Sequence, residues 1–294
     1  MDISVIIPIY NAKPFLDKCI KSALIQPQTR EVILIDDRST DGSVDLCKEW
    51  ASKDDRVKFF QNQGVKGAGA TRNIGLIHAK YEYIAFLDAD DYYLDGRFEG
   101  DELILTNEYI VDGTTNLTLL LVSNNEFLNT RLNKYKVNEI FGIKTVQTKI
   151  DMEHVLFDSL IHLNSVTIRR KLIDNSCLFD ESLIQTQDTD FLLRLVFRHC
   201  IISTSNTKPV AIYRIHENGT TTNILKTVFY KRRLNRKYFI NHIFDLKINS
   251  LCIYFLKSYT YYDFVYLTKD KAYIKNRFFR ILILPINLIR LFWK

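Results

Sequence analysis

Paired cysteine chemistry is the first thing this chain lacks. Its five cysteines (Cys19, Cys47, Cys177, Cys200 and Cys252) are odd in number, scattered, and form no C-x-x-C pair. That argues against a disulfide framework or a zinc site and fits a reducing cytoplasm. In that compartment the N-x-S/T sequons at Asn116 and Asn218 are chance matches. A signal peptide is not expected either. Met1-Asp2-Ile3-Ser4 runs straight into a strand-like segment, without a basic region or a cleavage site. The uninterrupted apolar run from Ile281 to Ile286 is far below the roughly 20 residues of a membrane span. Internal repeats and low-complexity segments are absent as well.

What is present has a globular composition. The 294 residues are 47% hydrophobic and 25% charged, enough for one large or two small domains with a real core. The net charge of +6 hides an asymmetry. From Leu225 to Lys294 there are 15 Lys or Arg against 3 Asp, a net +12. The preceding 224 residues carry 25 Lys or Arg against 31 Asp or Glu, a net −6. The same tail holds 17 of the 37 aromatic residues. A basic, aromatic-rich tail on a mildly acidic body reads as two functional units. Either nucleic acid or an anionic membrane surface would attract such a tail.

Along the body, apolar periodicity predicts alternating strands and helices. Residues 2–9 and 31–35 read as fully buried strands, 57–61 as a third and 83–87 as a fourth. Helices are expected from Asn11 to Leu24, from the Ser39–Ser43 turn to about Ser52, and from about Ala70 to Ala79. That order predicts a parallel, doubly wound sheet, whose ligands bind beyond the carboxyl ends of the strands. Beyond Tyr92 the signal weakens. Strands are expected at Leu117–Ser123, Leu163–Ile168 and Val210–Ile215, and helices at Asp151–Leu160, Arg169–Asn175 and Asp188–His199.

Two acidic clusters fall at predicted strand ends: Asp36-Asp37, and Asp88, Asp90 and Asp91 after Phe86-Leu87. Burying carboxylates is costly, so they belong at the exposed end of the strand. There they repel one another unless a cation intervenes. Hard carboxylate oxygens suit Mg²⁺ or Mn²⁺ carrying a phosphorylated ligand.

Four ordered motifs make the pattern more specific. They are Ser4-Val5-Ile6-Ile7-Pro8-Ile9-Tyr10-Asn11, Ile35-Asp36-Asp37-Arg38-Ser39, Gly67-Ala68-Gly69-Ala70-Thr71-Arg72-Asn73, and Phe86-Leu87-Asp88-Ala89-Asp90-Asp91. Together they closely resemble the family 2 glycosyltransferases, inverting enzymes of the GT-A fold. The match covers residues 2–98 well and 155–222 more loosely. The fold class expected is therefore α/β: a Rossmann-like, mainly parallel sheet flanked by helices, with a helical C-terminal extension.

The resemblance implies a nucleotide-sugar donor, commonly UDP-linked, a Mn²⁺ or Mg²⁺ ion, and transfer with inversion. It places the metal on Asp90, with Asp88 close to the ribose or the metal and Asp91 open between supporting and capping roles. Asp37 matches the position that hydrogen-bonds the base, flanked by Pro8 and Tyr10; ordinary packing is the alternative for Tyr10. Arg72 matches an arginine near the nucleotide, with a structural ion pair to Asp37 or Asp88 as the alternative. Within Gln187-Asp188-Thr189-Asp190, Asp188 takes the position of the general base and Asp190 is its rival. Gln187 replaces the family's usual Glu. Tyr213-Arg214-Ile215-His216 resembles the loop that closes over the diphosphate, which puts Arg214 on the pyrophosphate and His216 on the metal or pyrophosphate. His162 lies where acceptor contacts occur.

The expected domains are a catalytic domain over 1–224, with the donor half in 1–98 and the acceptor half in 99–224, and a basic helical tail over 225–294. The tail reads as an interfacial helix with snorkelling Arg residues, or as a helix packing on its own catalytic domain. The expected activity is transfer of one sugar to a surface glycan or lipid-linked saccharide at the cytoplasmic face of the inner membrane. The rivals are a nucleotidyltransferase and a non-catalytic or nucleic-acid-binding protein. The first usually carries a glycine-rich, lysine-containing loop after its first strand, and Tyr10-Asn11-Ala12-Lys13-Pro14 contains no glycine.

Overall fold

The computed structural model describes residues 1–122, 140–141, 148–150, 155, 161–173, 177–204, 208–215, 230, 233–234 and 237–238. Strands β1 (Ile3–Ile9), β2 (Thr29–Asp36), β3 (Val57–Gln61) and β4 (Tyr83–Phe86) alternate with helices α1 (Lys13–Leu24), α2 (Ser43–Lys53) and α3 (Ala68–His78). There follow β5 (Tyr92–Tyr93), α4 (Glu99–Leu105), β6 (Gly113–Thr115), β7 (Thr118–Val122), β8 (Ile140–Phe141), β9 (Val166–Arg169), α5 (Gln187–Arg198), β10 (Ile201–Ser203) and β11 (Ala211–Ile215). Among the described residues, one seven-stranded sheet runs β10-β6-β9-β4-β1-β2-β3. Its β3-β2-β1-β4 half is parallel throughout, and β9 lies antiparallel to both β4 and β6. A smaller sheet runs β5-β11-β7-β8.

Helices cover both faces of the large sheet, so its central strands are buried at nearly every position and mostly apolar. Val5 and Ile7 of β1 face one core with Leu16, Cys19 and Ile20 of α1. Ile6 faces the other, with Ile33, Ile35, Ile84 and Phe86 and the α5 residues Phe191, Leu192 and Leu195. Helix α3 crosses this second face closely at Gly75. A Cβ there would lie 2.5 Å from Cγ2 of Ile6 and 3.0 Å from Cδ1 of Ile35. Neither neighbour is the end of a long flexible chain. Gly75→Ala therefore costs about 1–3 kcal/mol by overpacking. A lower urea midpoint at unchanged slope is the measurement that shows it.

The strand expected over Leu163–Ile168 begins only at Val166. Leu163–Ser165 is a 3₁₀ turn, entered from His162, whose ring nitrogen accepts the Asn164 N–H. Ser165 closes it by donating its hydroxyl to the His162 carbonyl at 2.7 Å. Local polar side chains here outcompete the ladder. Of the helix expected over Arg169–Asn175, the described residues form a single 3₁₀ turn at Arg170–Leu172.

The chain divides into two compact units, Met1–Ser182 with Gln187–Glu217, and Leu183–Thr186 with Asn218–Lys294. The helix expected at 151–160, the loop from His216 to Thr222 and nearly all of the basic tail lie outside the described residues. Among the described residues no helix is long and apolar enough to cross a membrane.

Candidate active site

The carboxyl ends of β1, β2 and β4 and the start of α3 meet on one rim. Asp36, fully buried, turns back to accept the N–H groups of Arg38 and Ser39 at 2.9 and 3.1 Å. It shapes the turn, and Arg38 takes φ 65° within it. That frees Asp37 to point along the rim. Its two oxygens accept from the Asn62 amide and the Gly67 N–H, each at 2.8 Å. Gly67 sits at φ 138°, so the residue that starts α3 is glycine for its backbone, with open space around its Cα. Pro8 is buried in β1, whereas Tyr10 just beyond it is 51% exposed, so the packing alternative for Tyr10 does not hold. Lys66 Nζ lies 4.0 Å above the Tyr10 ring.

The first turn of α3 spends nearly every residue on a tether. Thr71 caps back onto the Gly67 carbonyl at 2.8 Å, and the Gly69 N–H donates to the Gln187 side chain at 3.2 Å. Asn73 grips the Phe179 backbone twice, at 2.8 and 3.0 Å, and Glu181 at 2.9 Å. Arg72 is buried, pairs with Asp88 and lies 5.5 Å over the Phe179 ring. Of its alternatives, Asp88 rather than Asp37 is the partner. Its Nε and second terminal nitrogen are buried with no hydrogen-bond partner. A buried guanidinium with idle donors is costly to leave so, and those donors match phosphate oxygens.

The acidic turn holds three carboxylates in different surroundings. Burial works against charge on Asp88, but the Arg72 guanidinium and the His162 ring hold it below the usual carboxylate range. Asp91 is fully buried. Burial, with the charges of Asp90 and Asp88 beside it, pushes its carboxyl well above that range. It accepts the Arg214 N–H at 2.7 Å and the Asn164 amide at 2.6 Å, so it ties β11 to the turn. Asp90 between them is half-buried.

His162 draws the two halves together. Its ring is pushed below the ordinary histidine range by burial, against the opposing pull of Asp88, Asp188 and Asp90. It packs 4.3 Å from the Tyr213 ring. Asp88, Asp91 and His162 each offer a ligand atom within 4.8 Å of the others. Carboxylate oxygens with one imidazole fit a divalent cation such as Mn²⁺, and a cation would lessen the charge crowding at Asp91 that its two hydrogen bonds only partly offset. Asp90, which the resemblance assigns to the metal, sits in the same turn, and His216 lies outside the described residues.

Asp188 stands in the first turn of α5, where its carboxylate accepts the Thr189 N–H at 2.8 Å. Its rival, Asp190, is fully buried and paired with Arg194 at 2.9 Å. Asp190 thus belongs to the fold, and Asp188 is the one whose charge reaches His162. The Arg214 guanidinium stacks over Tyr92 at 4.7 Å and Phe15 at 5.3 Å. Periodicity and motif spacing missed Asn62, Asn164 and Phe179, since the contacts through which each serves the rim are to residues distant in sequence and are fixed only by the tertiary fold.

Residues 4–100 match the family model described as Glycosyl transferase family 2. An uncharacterized glycosyltransferase of Haemophilus influenzae is 42% identical over 110 residues, 37% of this chain and 44% of that protein. The chain spans less than half the length of the first curated relatives it matches. Among solved structures, Staphylococcus aureus TarS 1–349 in complex with UDP-GlcNAc superposes with TM-score 0.60 at 19% identity, covering 89% of this chain and 81% of that one. The mannosyltransferase PcManGT from Pyrobaculum calidifontis, in complex with GDP-Man and Mn²⁺, gives TM-score 0.56 at 17% identity, over 88% and 69%. These likenesses are of fold: a mixed α/β architecture around a mainly parallel sheet, as the sequence predicts.

Proposed function

We propose that this chain, which carries a family 2 glycosyltransferase domain over residues 4–100, moves a sugar from a nucleoside-diphosphate donor to an acceptor hydroxyl with inversion. The observation that carries the reading is Arg72: a buried guanidinium with idle nitrogens, set beside three carboxylates and an imidazole. A diphosphate bridging the two fits that pattern of charge. The UDP-GlcNAc bound to TarS and the GDP-Man and Mn²⁺ bound to PcManGT support it.

In this reading Asp37 holds the base, commonly uracil, flanked by Pro8 and Tyr10. Asp88 serves the ribose side, and Arg72 and Arg214 take the diphosphate. Asp90 and His216 are assigned to the cation, and the convergence of Asp88, Asp91 and His162 supports adding those side chains to its surroundings. A bound Mg²⁺ or Mn²⁺ supplies neutralising charge for the departing diphosphate. Asp188 accepts the proton of the acceptor hydroxyl. The new C–O bond forms on the anomeric face opposite the diphosphate as the old bond to the phosphate oxygen breaks.

Residues 1–224 form the catalytic domain in this proposal and 225–294 the basic tail. That tail holds the enzyme on the anionic cytoplasmic face of the inner membrane, where a surface glycan such as lipopolysaccharide or capsule grows on a lipid-linked acceptor. The test is a hydrolysis screen of UDP-, GDP-, dTDP- and CMP-sugars with Mn²⁺, Mg²⁺ or EDTA. One UDP-sugar should be cleaved, and only with metal. Cleavage unaffected by EDTA, or of none of them, sinks the proposal.

A further inference from the structure

Resting on the reading that a divalent cation and a diphosphate meet at residues 88–91, we infer that Asn164 is the positioning residue that sets the shape of that turn. Asn164 is fully buried, and all four of its polar groups are committed. Its side-chain oxygen accepts the Asp88 N–H at 3.0 Å, and its amide nitrogen donates to the Asp91 carboxylate at 2.6 Å. Its own N–H donates to His162 Nδ1 at 3.4 Å, and its carbonyl accepts from Arg97 Nε at 3.0 Å. One short amide thus spans the whole turn. It fixes the backbone where the carboxylates begin and the side chain where they end, and Asp90 is carried between the two.

The residue type follows from the two partners. A backbone N–H needs an acceptor, and a carboxylate needs a donor. Asparagine supplies one of each on a single-carbon stem. Aspartate would set a third oxygen against the crowded Asp91, and leucine would leave both groups unpaired in a dry site.

Arg97 explains why Asn164 can hold still. Its guanidinium reaches Asp101 at 2.6 Å, the Val166 carbonyl at 3.2 Å and the Thr167 hydroxyl at 3.2 Å. Asp101 is filled in turn by Thr114, Asn116 and Thr167, each at 2.7 Å. Both charged side chains are wholly buried. A buried ion pair adds little net stability over apolar packing, so its conformational specificity is the useful property. Here it pins the Asn164 carbonyl under the acidic turn. Asn164 reaches the reacting groups only through Asp88, Asp91 and His162.

The test is Mn²⁺ binding in the presence of UDP, read as loss of the free Mn²⁺ electron paramagnetic resonance signal, with the thermal midpoint and near-UV circular dichroism recorded on the same samples. Asn164→Ala is expected to weaken Mn²⁺ binding by about 10–100-fold, the usual cost of losing a group that orients a metal ligand. Asn164→Ser, milder toward folding, should lose affinity in the same direction. Ile33→Val, a core change in β2 remote from the turn, should lower the midpoint yet keep Mn²⁺ affinity within threefold. Wild-type Mn²⁺ affinity in either folded Asn164 variant overturns the inference, as does an equal loss in Ile33→Val at a matched midpoint. A wild-type chain that binds no Mn²⁺ with UDP overturns the cation reading and this inference with it, which separates the two failures.

Discussion

Asp188→Asn lowers sugar transfer by about 10²–10⁴-fold, the range for removing a general base. Binding of donor and Mn²⁺ stays near the wild-type level, because Asp188 lies on α5, outside the acidic turn, and its carboxylate accepts the N–H of its own neighbour, Thr189. The loss should therefore fall on kcat and spare the donor KM, the pattern of an interaction made only in the transition state. Asp190→Asn is the informative contrast. Asp190 is buried against Arg194, so its effect falls on folding, at about 1.5–3 kcal/mol for a hydrogen bond to a charged group. Steady-state kinetics of the two variants, with thermal midpoints beside them, separates the roles. Full transfer activity in a purified Asp188→Asn protein removes the base assignment.

Asp88→Ala strikes both function and fold. The Arg72 guanidinium is buried, and its Nε and one terminal nitrogen already have no partner. Removing Asp88 strips its one anion and leaves the charge stranded. Breaking such a pair costs about 3 kcal/mol, the lower end for buried pairs because Asp88 itself is part-exposed. Transfer falls below detection in the same variant. Adding Arg72→Leu to Asp88→Ala should recover part of the lost stability and none of the activity, which a urea double-mutant cycle can read. The pH dependence has a definite sign. Burial raises the Asp88 carboxyl, but Arg72 and His162 outweigh it and hold the group low when folded. Its stabilising contribution is therefore complete above the unfolded carboxylate value of about 3.9 and is lost as pH falls through the lower folded value. A stability loss in Asp88→Ala that persists undiminished in acid, where the carboxyl is protonated in both states, would contradict the pairing.

The donor rim was legible because its residues are local in sequence. Asp37, Arg72 and Asp88 each sit within a few residues of a strand end or helix start, and buried strands announce themselves as apolar runs. The parallel β3-β2-β1-β4 half followed from the same alternation. Elsewhere short range failed. The run from Leu163 to Ile168 has strand composition, yet Asn164 and Ser165 are spent on a turn, because the Asp88 N–H, the Asp91 carboxylate and the Thr115 hydroxyl wait for them across the fold. Likewise β9 lies antiparallel between β4 and β6, a choice no local pattern encodes. Arg97 and Asp101 look like ordinary surface charges four residues apart, and only the fold shows them sealed inside.

The first turn of α3 is also a statement about modularity. Within the seven residues from Gly67 to Asn73 it is tied to Asp37 just beyond β2 through Gly67, to α5 through Gly69, to the acidic turn after β4 through Arg72 and to the Phe179 segment through Asn73. The stretch that matches the family model, residues 4–100, thus ends before several of the residues that hold its own rim in place. It is a sequence module without being a building block. Grafting it onto a foreign acceptor half preserves the rim only if the partners at 164, 179–181 and 187 travel with it.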